Sequence, residues 1–186
     1  MPTETPQLLD DFSAPSLVLP QVDGSSVDLY ESINRHQPKA FLVMFICNHC
    51  PYVKAILTKL VIEGQKLSKA GIPIFAICSN DAEEYPEDSF ENMKLIAARY
   101  KFPFPYLRDE TQKVAKDFGA VCTPDFFGFN SHKILKYRGR LDDSGKIYKE
   151  GGKSELTEAM IEIAQTGTYK KPQIPSIGCS IKWKNP

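Results

Sequence analysis

The 186 residues carry 23 basic and 23 acidic side chains, for a formal net charge of zero, with 42% hydrophobic and 25% charged residues. That balance suits one domain with a sizeable core, spanning 1–186 with a tail at 168–186, and argues against nucleic acid or an anionic membrane as partner. No apolar run approaches the roughly 20 residues of a membrane span, and the opening Met1-Pro2-Thr3-Glu4 lacks a signal-peptide layout, so a soluble cytoplasmic protein is expected.

Residues 12–19 read as a short edge strand or strand pair interrupted by Pro15, and 22–25 as a turn. Residues 27–33 read as a short strand running into a helical turn. From Lys39 to Ile46 the chain is almost continuously apolar, the pattern of a strand buried on both faces. Pro51 then opens a helix, where its missing N–H costs nothing. The helix carries Val53, Ile56, Leu57, Leu60, Val61 and Leu67 at three- and four-residue spacings and stops near Gly71. Ile72 to Cys78 is a second buried strand, and strand, helix, strand in this order implies a parallel pair.

The acidic stretch 79–88 reads as a solvated loop. Ser89 is placed to cap a helix whose stripe is Phe90, Met93, Ala97 and Tyr100. Residues 102–107 are extended, because each proline pushes its predecessor out of helical geometry. Asp109 is placed to cap a helix ending at Gly119, and 125–130 with 133–138 read as a hairpin. A loop with turn signals at Asp142–Gly145 and Gly151-Gly152 leads to a last helix, from Lys153 or Ser154 to Gly167. The tail that follows is expected to drape over the domain or to be partly disordered.

Five cysteines at modest density, Cys47, Cys50, Cys78, Cys122 and Cys179, do not make a disulfide-stapled secreted domain. Two of them, in Cys47-Asn48-His49-Cys50, fall on the turn between the first central strand and its helix. Free amide N–H groups and the positive end of the helix dipole stabilise a thiolate there, and two intervening residues let the sulfurs close into a disulfide. The pair therefore reads as a redox site. Zinc would need two further ligands, and the sequence offers no second Cys or His pair, so neither metal nor other cofactor is expected.

Cys47-Asn48-His49-Cys50 at such a turn, followed by Cys122-Thr123-Pro124 before a hairpin, resembles the thioredoxin superfamily. Asp11 to Pro15, Leu107 to Glu110, the helical insertion 89–101 and the tail 177–183 resemble its peroxiredoxin-like branch, related to alkyl hydroperoxide reductase and thiol-specific antioxidant proteins. The resemblance implies a thioredoxin-like α/β fold, a central mixed sheet flanked by helices, with an N-terminal extension and a C-terminal tail. It also implies a cis Thr123-Pro124 bond and a backbone edge there that receives a substrate chain. In true peroxiredoxins a threonine and a proline precede the peroxidatic cysteine. With Cys50 in that place, the two positions hold Cys47 and Val43, and only Arg138 or Arg140 offer themselves as a partner arginine. Dithiol exchange is therefore favoured over peroxide reduction.

On this reading Cys47 is the more exposed sulfur and the attacking thiolate, and Cys50 resolves the mixed disulfide. His49, as a cation, would favour the thiolate; Thr123 and Pro124 would hold backbone against the pair. Cys122 and Cys179 are candidates for further redox thiols, Cys78 for a buried hydrophobe. Asp28, Glu31 and Glu63 are candidates for a buried proton-accepting carboxylate beneath the dithiol, and His36 and His132 read as solvated. The expected activity is thiol-disulfide exchange with protein or small-molecule thiols and disulfides, sustained by a thiol reductant. A thiol peroxidase and a redox-sensing module without turnover are the alternatives.

Overall fold

A computed structural model describes residues 2–7, 11–147 and 153–185. The elements are β1 (Pro2–Glu4), β2 (Val18–Pro20), β3 (Ser26–Asp28), α1 (Leu29–His36), β4 (Ala40–Phe45), α2 (Pro51–Lys69), β5 (Ile74–Cys78), α3 (Phe90–Tyr100), β6 (Tyr106–Arg108), α4 (Lys113–Phe118), β7 (Cys122–Thr123), β8 (Asp125–Asn130), β9 (Leu135–Tyr137), α5 (Glu155–Thr166) and β10 (Ile177–Ser180). The turn expected at Gly151-Gly152 lies outside the described residues.

The central sheet has the order β6-β5-β4-β8-β9. β4 runs parallel to β5, which runs parallel to β6, and antiparallel to β8, so the sheet is mixed. All six residues of β4 are buried, as its unbroken apolar run requires. Successive side chains leave a strand on opposite faces. Leu42, Met44 and Ile46 therefore join one core with α2 and α5, while Phe41, Val43 and Phe45 join another with α1 and α4. The second core is built largely of rings: Phe41 stacks on Phe129 with centroids 5.0 Å apart, and Phe45 meets Phe127 edge-on at 5.8 Å.

Most sequence-derived boundaries stand within a few residues, and two do not. Only Val18–Pro20 of the stretch 12–19 pairs along a strand, with Ser26–Asp28, because Pro15 breaks the remainder. Gln112, not Asp109, precedes α4; the Asp109 carboxylate still accepts from the Ala115 N–H at 2.9 Å. The tail is held by β10, which lies between β1 and β7 in a small antiparallel sheet. No described helix is long and apolar enough to cross a membrane.

Candidate active site

Cys47 follows β4, and Cys50 is the residue preceding the first turn of α2, with Pro51 opening the helix. Cys47 and Cys50 lie in one buried cluster, and each shifts the ionisation of the other. Thr123, preceding the cis peptide to Pro124, touches both: its Oγ1 lies 3.2 Å from Cys47 Sγ, and its carbonyl accepts from the Cys50 thiol at 3.1 Å when that thiol is protonated.

The Cys50 pKa is pulled down to about 5, most of all by the Cys47 thiol, then by the Val53 N–H in the first turn of α2 and by Cys179. Cys47 is pushed the other way by its bond to Cys50, by burial and by the charge on Asp88. Two like charges on neighbouring sulfurs cannot both form cheaply, and the opposite directions of the two shifts favour the charge on Cys50. Both sulfurs are buried, with Cys47 at 2% exposure barely the more exposed of the two over Cys50 at 0%, and the shifts favour the charge on Cys50, the residue preceding the first turn of α2. Its thiolate fraction should rise with pH through about 5, far below the ordinary 9.0, as ultraviolet thiolate absorbance would show.

The loop 79–88 is corrected. Glu83, Glu84 and Glu87 are solvated as expected, but Asp88 is fully buried and holds the Cys47–Cys50 turn in place. Its Oδ1 accepts from the N–H groups of Asn48 at 2.7 Å and His49 at 3.3 Å; its Oδ2 takes Asn80 Nδ2 at 2.8 Å and lies 2.6 Å from His49 Nδ1. Asp88 raises the pKa of His49, whose ring stacks on Tyr85 at 5.3 Å. An imidazolium so placed also faces the Cys50 charge, which raises the His49 pKa further.

Replacing His49 by Ala should therefore raise the Cys50 pKa and lower the reduction potential of the pair, by ~30 mV for each tenfold loss of thiolate stability. A redox titration of the variant checks this.

The carboxylates expected beneath the dithiol are elsewhere. Asp28 caps α1, Glu31 pairs with Arg35 on the surface, and buried Glu63 accepts from Thr157 Oγ1 at 2.7 Å. Neither expected arginine reaches the sulfurs, since Arg138 pairs with Asp125 and Arg140 with Glu155. The one near the site is Arg108, which donates to the carbonyls of Asn80 at 2.9 Å and Asp88 at 3.4 Å and so ties the ends of the loop to β6. Cys78 is fully buried, as expected of a hydrophobe. Cys122 is also buried, with its thiol turned to the Pro124 carbonyl at 3.6 Å rather than to the dithiol. His36 and His132 are exposed.

Cys47, His49 and Asp88 bring potential metal-ligating atoms within 4.8 Å of one another, a cluster that the sequence did not disclose. An ion there would compete with the donors already filling both Asp88 oxygens, two of them backbone N–H groups fixed by the turn. The donor set fits a hydrogen-bonded anchor better than a metal cage.

A sequence profile of the AhpC/TSA family matches residues 11–142, more than half of the chain. The chain belongs to the AhpC/TSA family. This AhpC/TSA-family chain is similar to an uncharacterized conserved protein from Geobacillus kaustophilus, at 43% identity over 99% of this chain and 97% of that one, with a TM-score of 0.90. It is similar to a hypothetical protein from Sinorhizobium meliloti at 34% identity, over 98% of each chain, with a TM-score of 0.89. The thioredoxin domain of a thiol-disulfide oxidoreductase from Bacteroides vulgatus shares 16% identity, over 88% of this chain and all 100% of that one, with a TM-score of 0.58. At that identity the likeness establishes the thioredoxin-like fold and nothing finer. No curated protein matches the chain significantly.

Within this AhpC/TSA-family chain, sequence reasoning missed Asp88 and Arg108. An acid in an acidic loop carries no mark of burial, and the only available hint was its position, at the end of a loop leaving the same sheet edge as Cys47.

Proposed function

We propose that the chain is a thiol-disulfide oxidoreductase acting through Cys47 and Cys50. The observation that carries this reading is the pair itself: two sulfurs at the turn into α2, each bonded to Thr123 beside the cis Pro124, with the Cys50 pKa pulled down and that of Cys47 pushed up. The Cys50 thiolate attacks a disulfide, and Cys47 then displaces the bound half, closing a Cys47–Cys50 bond and releasing the second thiol. Its partners are protein or small-molecule disulfides, with a thiol reductant to reopen the pair. Likeness in fold to a thiol-disulfide oxidoreductase domain supports the reading.

A second reading, hydroperoxide reduction, draws on family membership and on Cys50 as a low-pKa thiolate. Against it, Arg138 and Arg140 are held by carboxylates away from the sulfur. Redox titration with mass mapping of all five cysteines is the test. A reversible, two-electron Cys47–Cys50 couple with disulfide reduction supports the first reading, whereas peroxide consumption with a thiol reductant and no disulfide reduction supports the second.

A further inference from the structure

The dithiol is sealed, yet exchange requires one of its sulfurs to meet another sulfur in line. What covers it is β10. Cys179 sits opposite Thr123 in the β10–β7 pairing, so the chain's own tail occupies the edge beside the dithiol. Thr123 in turn accepts from the Cys50 thiol through its carbonyl at 3.1 Å, and Cys179 packs against the buried cluster that holds Cys47 and Cys50.

The strand is anchored at both ends. Ser176 Oγ donates to the Pro124 carbonyl at 2.8 Å, and Ser176 exchanges bonds with Thr5 at 3.0 and 3.1 Å. Beyond it, the Lys182 N–H donates to Asn80 Oδ1 at 2.9 Å and the Lys182 carbonyl accepts from the Asp81 N–H at 2.8 Å. Among the five cysteines only Cys179 is not buried. One face of β10 thus meets solvent while Cys179 on it packs against the cluster that holds Cys50.

We propose that Cys179 is the entry thiol of the site, carrying disulfide exchange between small thiols or disulfides in solution and the buried Cys47–Cys50 pair. The inference rests on the dithiol function proposed above. With a small disulfide RSSR, the Cys179 thiol attacks one sulfur, giving a Cys179–SR bond and RSH. The Cys50 thiolate then attacks Cys179, forming Cys50–Cys179 and expelling RS⁻. Finally the Cys47 thiol attacks Cys50, forming Cys47–Cys50 and returning its proton to Cys179. Cys47 and Cys50 are oxidised by two electrons, RSSR is reduced, and Cys179 ends as it began.

The Cys179 pKa is raised to about 11, first by burial and then by its bond to Cys50 and the charge there. The last two causes vanish once Cys50 is in a disulfide, which eases the return reaction in which Cys179 attacks the closed pair.

The test uses the full chain, reduced and then mixed with glutathione disulfide, with acid quenching and peptide mass mapping over time. In the unmodified protein, glutathione on Cys179 or a Cys50–Cys179 bridge should appear before Cys47–Cys50 accumulates. In Cys47→Ser the bridge should be the stable product. In Cys179→Ser, which keeps a hydrogen-bond donor toward Cys50, Cys47–Cys50 formation should slow about tenfold or more, while remaining the equilibrium product. Oxidation of Cys179→Ser at the unmodified rate overturns the proposal, as does a Cys47→Ser protein that takes glutathione on Cys50 alone. If Cys47–Cys50 never forms in the unmodified protein, the dithiol function itself fails, and that result is separate from either of these.

Discussion

Gly178→Ala is expected to open the dithiol to solvent and to raise the rate of Cys50 alkylation by iodoacetamide about 5- to 150-fold. A Cβ at Gly178 would lie 2.0 Å from the Thr123 carbonyl oxygen and 2.5 Å from its carbon. Those are backbone atoms flanked by Pro124 and paired with β10 itself, so no side chain can swing away, and β10 must lift. Overpacking of this kind costs about 1–3 kcal/mol, and here the cost falls on the closed arrangement alone, which converts into the stated gain in open population. Circular dichroism should show the central sheet intact, since β10 belongs to the small separate sheet. Equal alkylation rates in the variant and the unmodified protein would mean that β10 does not gate the site.

Asp88→Ala should destabilise the protein by about 3–5 kcal/mol, the range for breaking a buried pair from one side. It strands the Asn48 and His49 N–H groups and the Asn80 amide, all of which now donate to one carboxylate. Urea unfolding followed by fluorescence reads the loss. Asp88→Asn keeps the shape and an acceptor oxygen, so it should cost less, and it should lower the His49 pKa as seen by proton NMR, because the Asp88 bond is the largest cause of its rise.

The sign with pH follows. The His49 pKa is raised, so its contribution is complete below the ordinary 6.5 and is lost as pH rises through the raised value. The Asp88 pKa is lowered, so its contribution is complete above the ordinary 3.8 and is lost as pH falls through the lowered value. The pair therefore stabilises most between those limits, and the penalty of Asp88→Asn should shrink at either side.

Elements with strong periodicity were legible in the sequence. The apolar run before Cys47, the stripe of α2 and the hairpin after Pro124 each carry a pattern that only one kind of element satisfies. The small sheet was not legible. Its strands run from two to four residues, too short for any period to register, and β1 and β10 come from opposite ends of the chain. Gly178 looks like an ordinary tail glycine until Thr123 is seen against it.

The candidate site divides the same way. Cys47 and Cys50 announced themselves because the spacing of a dithiol and the start of a helix are local properties. Which sulfur holds the charge is not local: it depends on the Asp88 carboxylate, on the Thr123 hydroxyl and on Cys179, all distant in sequence.

The amino-acid sequence by itself determined the α/β framework and the placing of a dithiol at the head of α2, because short-range periodicity and helix-start chemistry suffice for both. Only the tertiary structure decided that an acid from a polar loop is buried under that turn and that the tail closes over the sulfurs. Burial and electrostatics are sums over neighbours in space, and those neighbours come from elements far apart along the chain.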